Sequence, residues 1–360
     1  MKNICIVVGA RPNFMKVAPI VRAVNEQKAQ GTDITYTLVY AGREDDPTLE
    51  QNLFDDLEMP QPDVYLGVDC VSLNELTGKV MAAFEAYLQQ HATDVVIVVD
   101  DLASTMAAAI VTKKQGIKLA HLVAGTRSFD IKMPKEINRL VIDGLSDLLF
   151  TAGAGSNSIV TREGAEMSQI YMVGNILMDT LRHNHNRLRK PAMMDEHHLK
   201  DGEFLVFTLN RKALMADKDN LRKMVDEMLN AAQGMPVVAP LRGLAYEALK
   251  EYADKLCIVG PQSYLEFGYL TAHARGIITD SGNVAEEATF NNVPCATLNS
   301  YTEHIETVKV GSNILVGEDA GRLGAAVSDM IAGRWKKCAL PDRWDGRTAE
   351  RIVSILMTDC

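Results

Sequence analysis

The chain has 360 residues, 47% hydrophobic and 23% charged, a globular balance that excludes extended disorder and sets a prior of two ordinary domains. Lys plus Arg total 37 against 47 Asp plus Glu, and the net charge of −10 argues against an electrostatically driven binder of nucleic acid or anionic membrane. The apolar run at residues 4–8 is too short for a signal peptide, and a span of about 20 apolar residues occurs nowhere, so a cytoplasmic protein without membrane insertion is expected.

Residues 4–8 read as a buried parallel strand, with residues 19–24 in the helix after it. Residues 36–40 and 95–99 are further strands, the second followed by an alanine-rich helix at 105–114; strands at 119–123 and 148–151 continue the series. The alternation breaks after Gly174-Asn175, and the polar stretch 183–201 contains Pro191 and reads as a connector with a surface helix. A second series follows at 204–209, 236–238, 256–259, 276–279 and 295–298, and residues 347–357 read as a terminal amphipathic helix. Continuous apolar strands, each followed by a helix, indicate parallel sheets covered on both faces. The expected class is α/β: two doubly wound Rossmann-like domains, 1–174 and 175–345, facing each other across a ligand cleft.

The six cysteines, Cys5, Cys70, Cys257, Cys295, Cys338 and Cys360, form no CxxC pair and read as reduced, mostly buried thiols. His183, His185, His197 and His198 sit in the polar connector and read as solvated, so neither a metal site nor a cofactor is expected.

Three segments carry chemistry. Gly9-Ala10-Arg11-Pro12 follows the first strand and opens a helix, a turn suited to a phosphate or carboxylate, with Arg11 able to add a bidentate contact. Asp280-Ser281-Gly282-Asn283 is a second such turn, and Glu286-Glu287 stand one turn further on, where a carboxylate can accept both hydroxyls of a ribose. Either turn alone is explained as an ordinary strand–helix junction or an N-cap serine; two of them favour a nucleotide. The stretch from His121 to Asp130, continued by Met133-Pro134-Lys135-Glu136-Ile137-Asn138-Arg139, is dense in polar residues for a loop after a buried strand and reads as a site wall.

At these residues the chain resembles the non-hydrolysing UDP-N-acetylglucosamine 2-epimerases, over nearly its whole length. The matching pieces are GARPNFMKVAP (from Gly9), AGTRSFD (from Ala124), PKEINR (from Pro134), SDLLFT (from Ser146), VGN (from Val173), SYLEF (from Ser263), TDSGNVAEEA (from Thr279), VPC (from Val293) and TEHIETVKVGSNILVG (from Thr302). The resemblance implies a glycosyltransferase-B type fold whose terminal helix, 346–360, crosses back onto the first domain. It implies a cytoplasmic homodimer of polysaccharide metabolism and UDP or a UDP-sugar held mainly by the second domain. Ligand contacts are then expected from Arg11, Lys16, Arg127, Arg139, Arg211, Ser281, Gly282 and Glu287. The helix after Asn74 and the one at 105–114 are the expected dimer surfaces.

The family reaction eliminates UDP across the sugar C1–C2 bond and adds it back after C2 is reprotonated on the other face, which requires several acid/base groups around C2. Here the family's His-Val-Glu-Ala-Gly is His121-Leu122-Val123-Ala124-Gly125, and its Pro-Glu-Glu-Ile-Asn-Arg begins Pro134-Lys135-Glu136. Its Thr-Leu-His-Arg is Thr208-Leu209-Asn210-Arg211. Val123, Lys135 and Asn210 thus replace two carboxylates and an imidazole, while Asp101 remains and Glu136 is the nearest substitute. Three readings follow: a UDP-sugar binder without standard epimerisation; an active epimerase of UDP-N-acetylglucosamine or of a modified UDP-sugar; and a non-catalytic partner or sensor.

Overall fold

Both apolar series form wholly parallel sheets in the computed structural model, which describes residues 1–359. The chain divides into two units, one of residues 1–183 with the chain from Asp342 onward, the other Asn184–Pro341.

The first unit runs β1 (Lys2–Val8), α1 (Arg11–Ala29), β2 (Ile34–Tyr40), α2 (Gln51–Leu57), β3 (Val64–Tyr65), α3 (Leu73–Leu88) and β4 (Val95–Val99). It continues through α4 (Ala103–Lys114), β5 (Lys118–Ala124), α5 (Pro134–Leu145), β6 (Leu148–Thr151), α6 (Ala154–Arg162), β7 (Ile170–Met172) and α7 (Ile176–Asn184). The sheet order is β3-β2-β1-β4-β5-β6-β7, so the winding reverses between β1 and β4, where the strand ends leave a crevice for a ligand. All five β4 residues are buried, as expected of a central strand covered on both faces. Gly9, at the end of β1, is dictated by a close approach: a Cβ there would lie 2.0 Å from Ser104 Oγ at the start of α4.

The second unit runs α8 (Ala192–Glu196), β8 (Leu205–Phe207), α9 (Lys212–Ala216), α10 (Lys218–Ala232), β9 (Val237–Pro240), α11 (Gly243–Leu249) and β10 (Cys257–Val259). Then come α12 (Tyr264–His273), β11 (Gly276–Thr279), α13 (Gly282–Phe290), β12 (Cys295–Thr297), α14 (Glu306–Lys309), β13 (Asn313–Leu315) and α15 (Ala320–Ala332). Its order, β10-β9-β8-β11-β12-β13, reverses between β8 and β11. Two apolar clusters cover opposite faces of this sheet, one around Leu205 and Met228, the other around Phe204 and Ile277.

The last helix, α16 (Thr348–Asp359), belongs to the first unit, where Lys2 Nζ donates to Leu356 O at 2.6 Å. The unit boundary lies nine residues beyond the expected break at 174 because α7 is anchored to the first unit. Thr180 Oγ1 donates to Met15 O at 2.5 Å, and the Asp179 carboxylate accepts Thr348 N at 3.1 Å and Ala349 N at 2.8 Å. His183 is not simply solvated, since its Nε2 lies 2.7 Å from Glu58 Oε2. The helix expected at 105–114 as a dimer surface is buried along most of α4, leaving α3 as the more exposed of the two candidates. The five described cysteines are free, and Cys360 lies outside the described residues. Among the described residues no cluster of His, Cys, Asp and Glu is placed to hold a metal, and no helix is long and apolar enough to cross a membrane.

Asp179 caps a helix from a distant part of the chain, so Asp179→Ala removes the acceptor for two α16 N–H groups. The expected outcome is a loss of about 1–2 kcal/mol, read as a lower midpoint in urea unfolding.

Candidate functional site

In the first unit the polar groups gather where β1, β4 and β5 end and α5 begins. The turn after β1 is largely satisfied from within: Asn13 Oδ1 accepts Gly9 N at 2.9 Å, and Pro12 has no N–H to offer. Asn13 Nδ2 in turn donates to Asp100 Oδ2 at 2.8 Å, and Lys16 Nζ lies 2.6 Å from Asp100 Oδ1. Asp100 has φ +58°, a left-handed conformation that aspartate tolerates and that these two partners hold in place.

Asp101 is 8% exposed and lies between two cations. Arg139 Nε and Nη2 donate to its Oδ2 at 2.9 and 2.6 Å, and Lys135 Nζ lies 3.3 Å from Oδ1. Burial pushes this carboxyl up, but Lys135 and Arg139 outweigh it and hold the group below the usual carboxylate range. Glu136 accepts four hydrogen bonds, from Ser128 N and Phe129 N at 2.9 Å, Ser128 Oγ at 3.0 Å and Arg139 Nη1 at 3.0 Å. Burial raises it, and these bonds more than reverse the effect, so it too stays a carboxylate. Arg139 is 1% exposed and Arg127 is 3% exposed. Arg127 pairs with Asp143 at 2.7 Å and with Glu163, while His121 Nδ1 lies 2.6 Å from Asp143 Oδ1. Two of the four arginines expected on the ligand, Arg127 and Arg139, are therefore engaged inside the unit.

Val123 stands half-buried where β5 bulges, with φ +73°, a conformation a β-branched residue rarely takes. Its isopropyl group can neither give nor take a proton. Lys135 is 57% exposed, which makes it the accessible charged group of this cluster. A cavity of about 380 Å³ lies on the β2 side of Gly9, lined by Tyr40, Arg43, Asp45, Asp46 and Ser104 among others. Its walls come from several separated loops, which no local motif announces.

In the second unit the loops after β8 and β11 are tied together. Asp280 Oδ2 accepts Asn210 N at 2.7 Å and Arg211 N at 2.6 Å, at the point where the sheet reverses its winding. The Arg211 guanidinium turns to Glu318 Oε1 at 3.0 Å and Asn299 Oδ1 at 3.3 Å, and Asn210 is exposed. Ser281 is the N-cap of α13, yet its hydroxyl makes no capping bond. A Cβ on Gly282 would meet nothing closer than Glu303 Oε2 at 3.5 Å, so internal packing does not require the glycine and the helix end stays open. Behind it, Glu286 and Glu287 are buried, with His304 Nε2 at 2.9 Å from Glu286 Oε1. Burial, and then the neighbouring Glu286, push Glu287 up to about 8. Ser281, Gly282 and Glu287 thus share one helix, α13, while Arg11 and Lys16 share α1 of the other unit.

Known proteins share this architecture. The profile of the family described as UDP-N-acetylglucosamine 2-epimerase matches residues 26–357. The UDP-N-acetylglucosamine 2-epimerase of Methanocaldococcus jannaschii is 32% identical, over 98% of both chains. The crystal structure of that enzyme with UDP-GlcNAc and UDP superposes with a TM-score of 0.84, at 32% identity and covering 99% of each chain. The UDP-2,3-diacetamido-2,3-dideoxy-D-glucuronate 2-epimerase of Pseudomonas aeruginosa is 32% identical over 91% of this chain and 90% of its own. The Neisseria meningitidis UDP-GlcNAc 2-epimerase structure bound to UDP-GlcNAc, at 22% identity and covering 100% of both chains, shares the fold with a TM-score of 0.88. The fold is of the glycosyltransferase-B type, with two Rossmann-like units.

The cluster around Asp101 makes separable predictions. Glu136→Ala strands two N–H groups and the Arg139 guanidinium, and should cost about 2–4 kcal/mol. Lys135→Ala removes a half-exposed pair and should cost less than about 1 kcal/mol. Urea midpoints compare the two. Because the folded Asp101 carboxyl lies below its unfolded value, its pairing stabilises the fold above the unfolded value and is lost as pH falls through the folded one; Asp101→Asn should flatten that acid limb.

Proposed function

The chain belongs to the UDP-N-acetylglucosamine 2-epimerase family, and from that premise we propose that it binds a UDP-sugar without carrying out the usual inversion at C2. The single observation that carries this reading is the state of Asp101: it lies between Arg139 and Lys135, which hold it as an anchored carboxylate. Removing the C2 proton needs an acceptor, and returning it to the opposite face needs a donor there. Val123 can do neither, and the Glu136 oxygens are occupied by four hydrogen bonds. Asn210 carries an amide that does not titrate near neutral pH.

Nucleotide binding has better support. The open N-terminus of α13 offers N–H groups and a positive helix end to a diphosphate, with Ser281 beside it and Gly282 leaving room. Glu287 is the carboxyl for the ribose hydroxyls. Arg11 and Lys16 supply positive charge on the first unit, Lys16 shared with Asp100. The homodimer is part of the same reading.

A second reading has its own support. A relative that is 32% identical carries the name of an epimerase acting on a diacetamido glucuronate, and Lys135 is a cation suited to an anionic sugar. In that reading the chain is an active epimerase, of UDP-N-acetylglucosamine or of a modified UDP-sugar.

Calorimetry should show UDP binding at micromolar to millimolar ligand, and a coupled assay should show no UDP-N-acetylmannosamine from UDP-N-acetylglucosamine. Individual acid/base groups contribute about 10²–10⁴-fold and do not add independently. Val123→Glu, Lys135→Glu and Asn210→His together should therefore restore measurable turnover, while each alone does little. Turnover by the unmodified chain would move the assignment to the second reading.

A further inference from the structure

Two carboxyls stand side by side inside the second unit, and an imidazole pairs with one of them. Glu286 and Glu287 are consecutive on α13 and are 2% and 5% exposed. Glu286 Oε1 lies 2.9 Å from His304 Nε2, and His304 is itself 7% exposed. The Glu287 carboxyl makes no hydrogen bond or ion pair among the described residues. Two ionised carboxylates here would leave one buried charge without a counter-ion and next to a like charge.

The surroundings do not relieve this. Glu303, whose Oε2 lies close to Gly282, carries the same sign as Glu286. On α12, Glu266 bonds to Ser263 N at 3.2 Å and His273 stacks on Tyr269. On α14 the charged residues are Glu306 and Lys309, and the charge that acts on Glu287 is that of Glu286.

We propose that Glu287 is protonated in the ligand-free protein and releases that proton when the ribose of a uridine nucleotide binds, so that nucleotide binding is coupled to proton release. The proposal rests on the reading that the second unit holds UDP. Each hydroxyl of a vicinal diol is a donor, and an ionised carboxylate accepts from both, whereas a protonated carboxyl has one oxygen occupied by its own hydrogen. The two incoming hydrogen bonds take the place of the missing counter-ion: the carboxyl O–H bond breaks, its electron pair stays on the carboxylate, and the proton passes to solvent. Burial and Glu286 raise the group to about 8, in agreement with the geometry.

The test is calorimetry of UDP with the full-length chain in two buffers of different ionisation enthalpy, between pH 7 and 9, where the nucleotide's own phosphate no longer titrates. At pH 7 about one proton should be released per UDP bound, with affinity rising about fivefold from pH 7 to 8 and less than twofold from 8 to 9. 2′-Deoxyuridine diphosphate should release less, and Glu287→Gln should bind UDP without release. Infrared difference spectra of the ligand-free protein against Glu287→Gln should show a protonated carboxyl band that fades across the same range. UDP binding without buffer-dependent heat, undiminished release in Glu287→Gln, or no such band overturns the proposal while leaving the functional reading intact. Absence of UDP binding overturns both.

Discussion

Arg139 sets the terms for the first unit. A guanidinium that is 1% exposed cannot shed its charge, so carboxylates must come to it. Asp101 comes from the end of β4 and Glu136 from the same helix one turn earlier. Through its other acceptor sites Glu136 also fixes Ser128 and Phe129, so this one cation ties a strand end, a helix start and a loop together. Arg127 does the same with Asp143 and Glu163 beneath β5. Removing Arg139 would leave Asp101 to the half-exposed Lys135 alone and take one of the four hydrogen bonds from Glu136, a larger loss than a surface pair represents.

The same bonds explain why a site-shaped frame need not be a reactive one. Asp101 and Glu136 are held as carboxylates by fixed cations and N–H groups, which suits anchoring and opposes proton transfer. At Val123 the backbone keeps a left-handed turn, strain of order 1–3 kcal/mol for a β-branched side chain, although the side chain there carries no chemistry. Asp100 is the milder case, because Lys16 and Asn13 bond its carboxylate and support its own left-handed conformation.

The long apolar strands were legible from sequence because central strands covered on both faces are continuous apolar runs, as β1 and β4 are. The strands β3, β7 and β13 lie at sheet edges and are only partly buried, so they lack the continuous apolar run that marks a central strand. The helix-opening turns at Gly9 and Ser281 were legible as turns, but what each one binds internally was not: Asn13 closing the first turn is a tertiary arrangement. Arg127 and Arg139 look like ligand residues in sequence because arginines in polar loops usually face solvent or an anion. That both lie under the surface depends on Asp143, Glu163 and Asp101, which are remote in the chain. The paired Glu286 and Glu287 were visible, whereas their burial with one histidine was not.

The two units therefore differ in what they retain. The second keeps an open helix end and a buried carboxyl that has no side-chain partner among the described residues. The first keeps charges that complete one another. The most direct measurement of that contrast is proton NMR of UDP-N-acetylglucosamine with the protein in D₂O, reading saturation transfer and the C2 proton in one sample. The account predicts transfer to the uridine protons while the C2–H signal persists over hours. Progressive loss of the C2–H signal would contradict it.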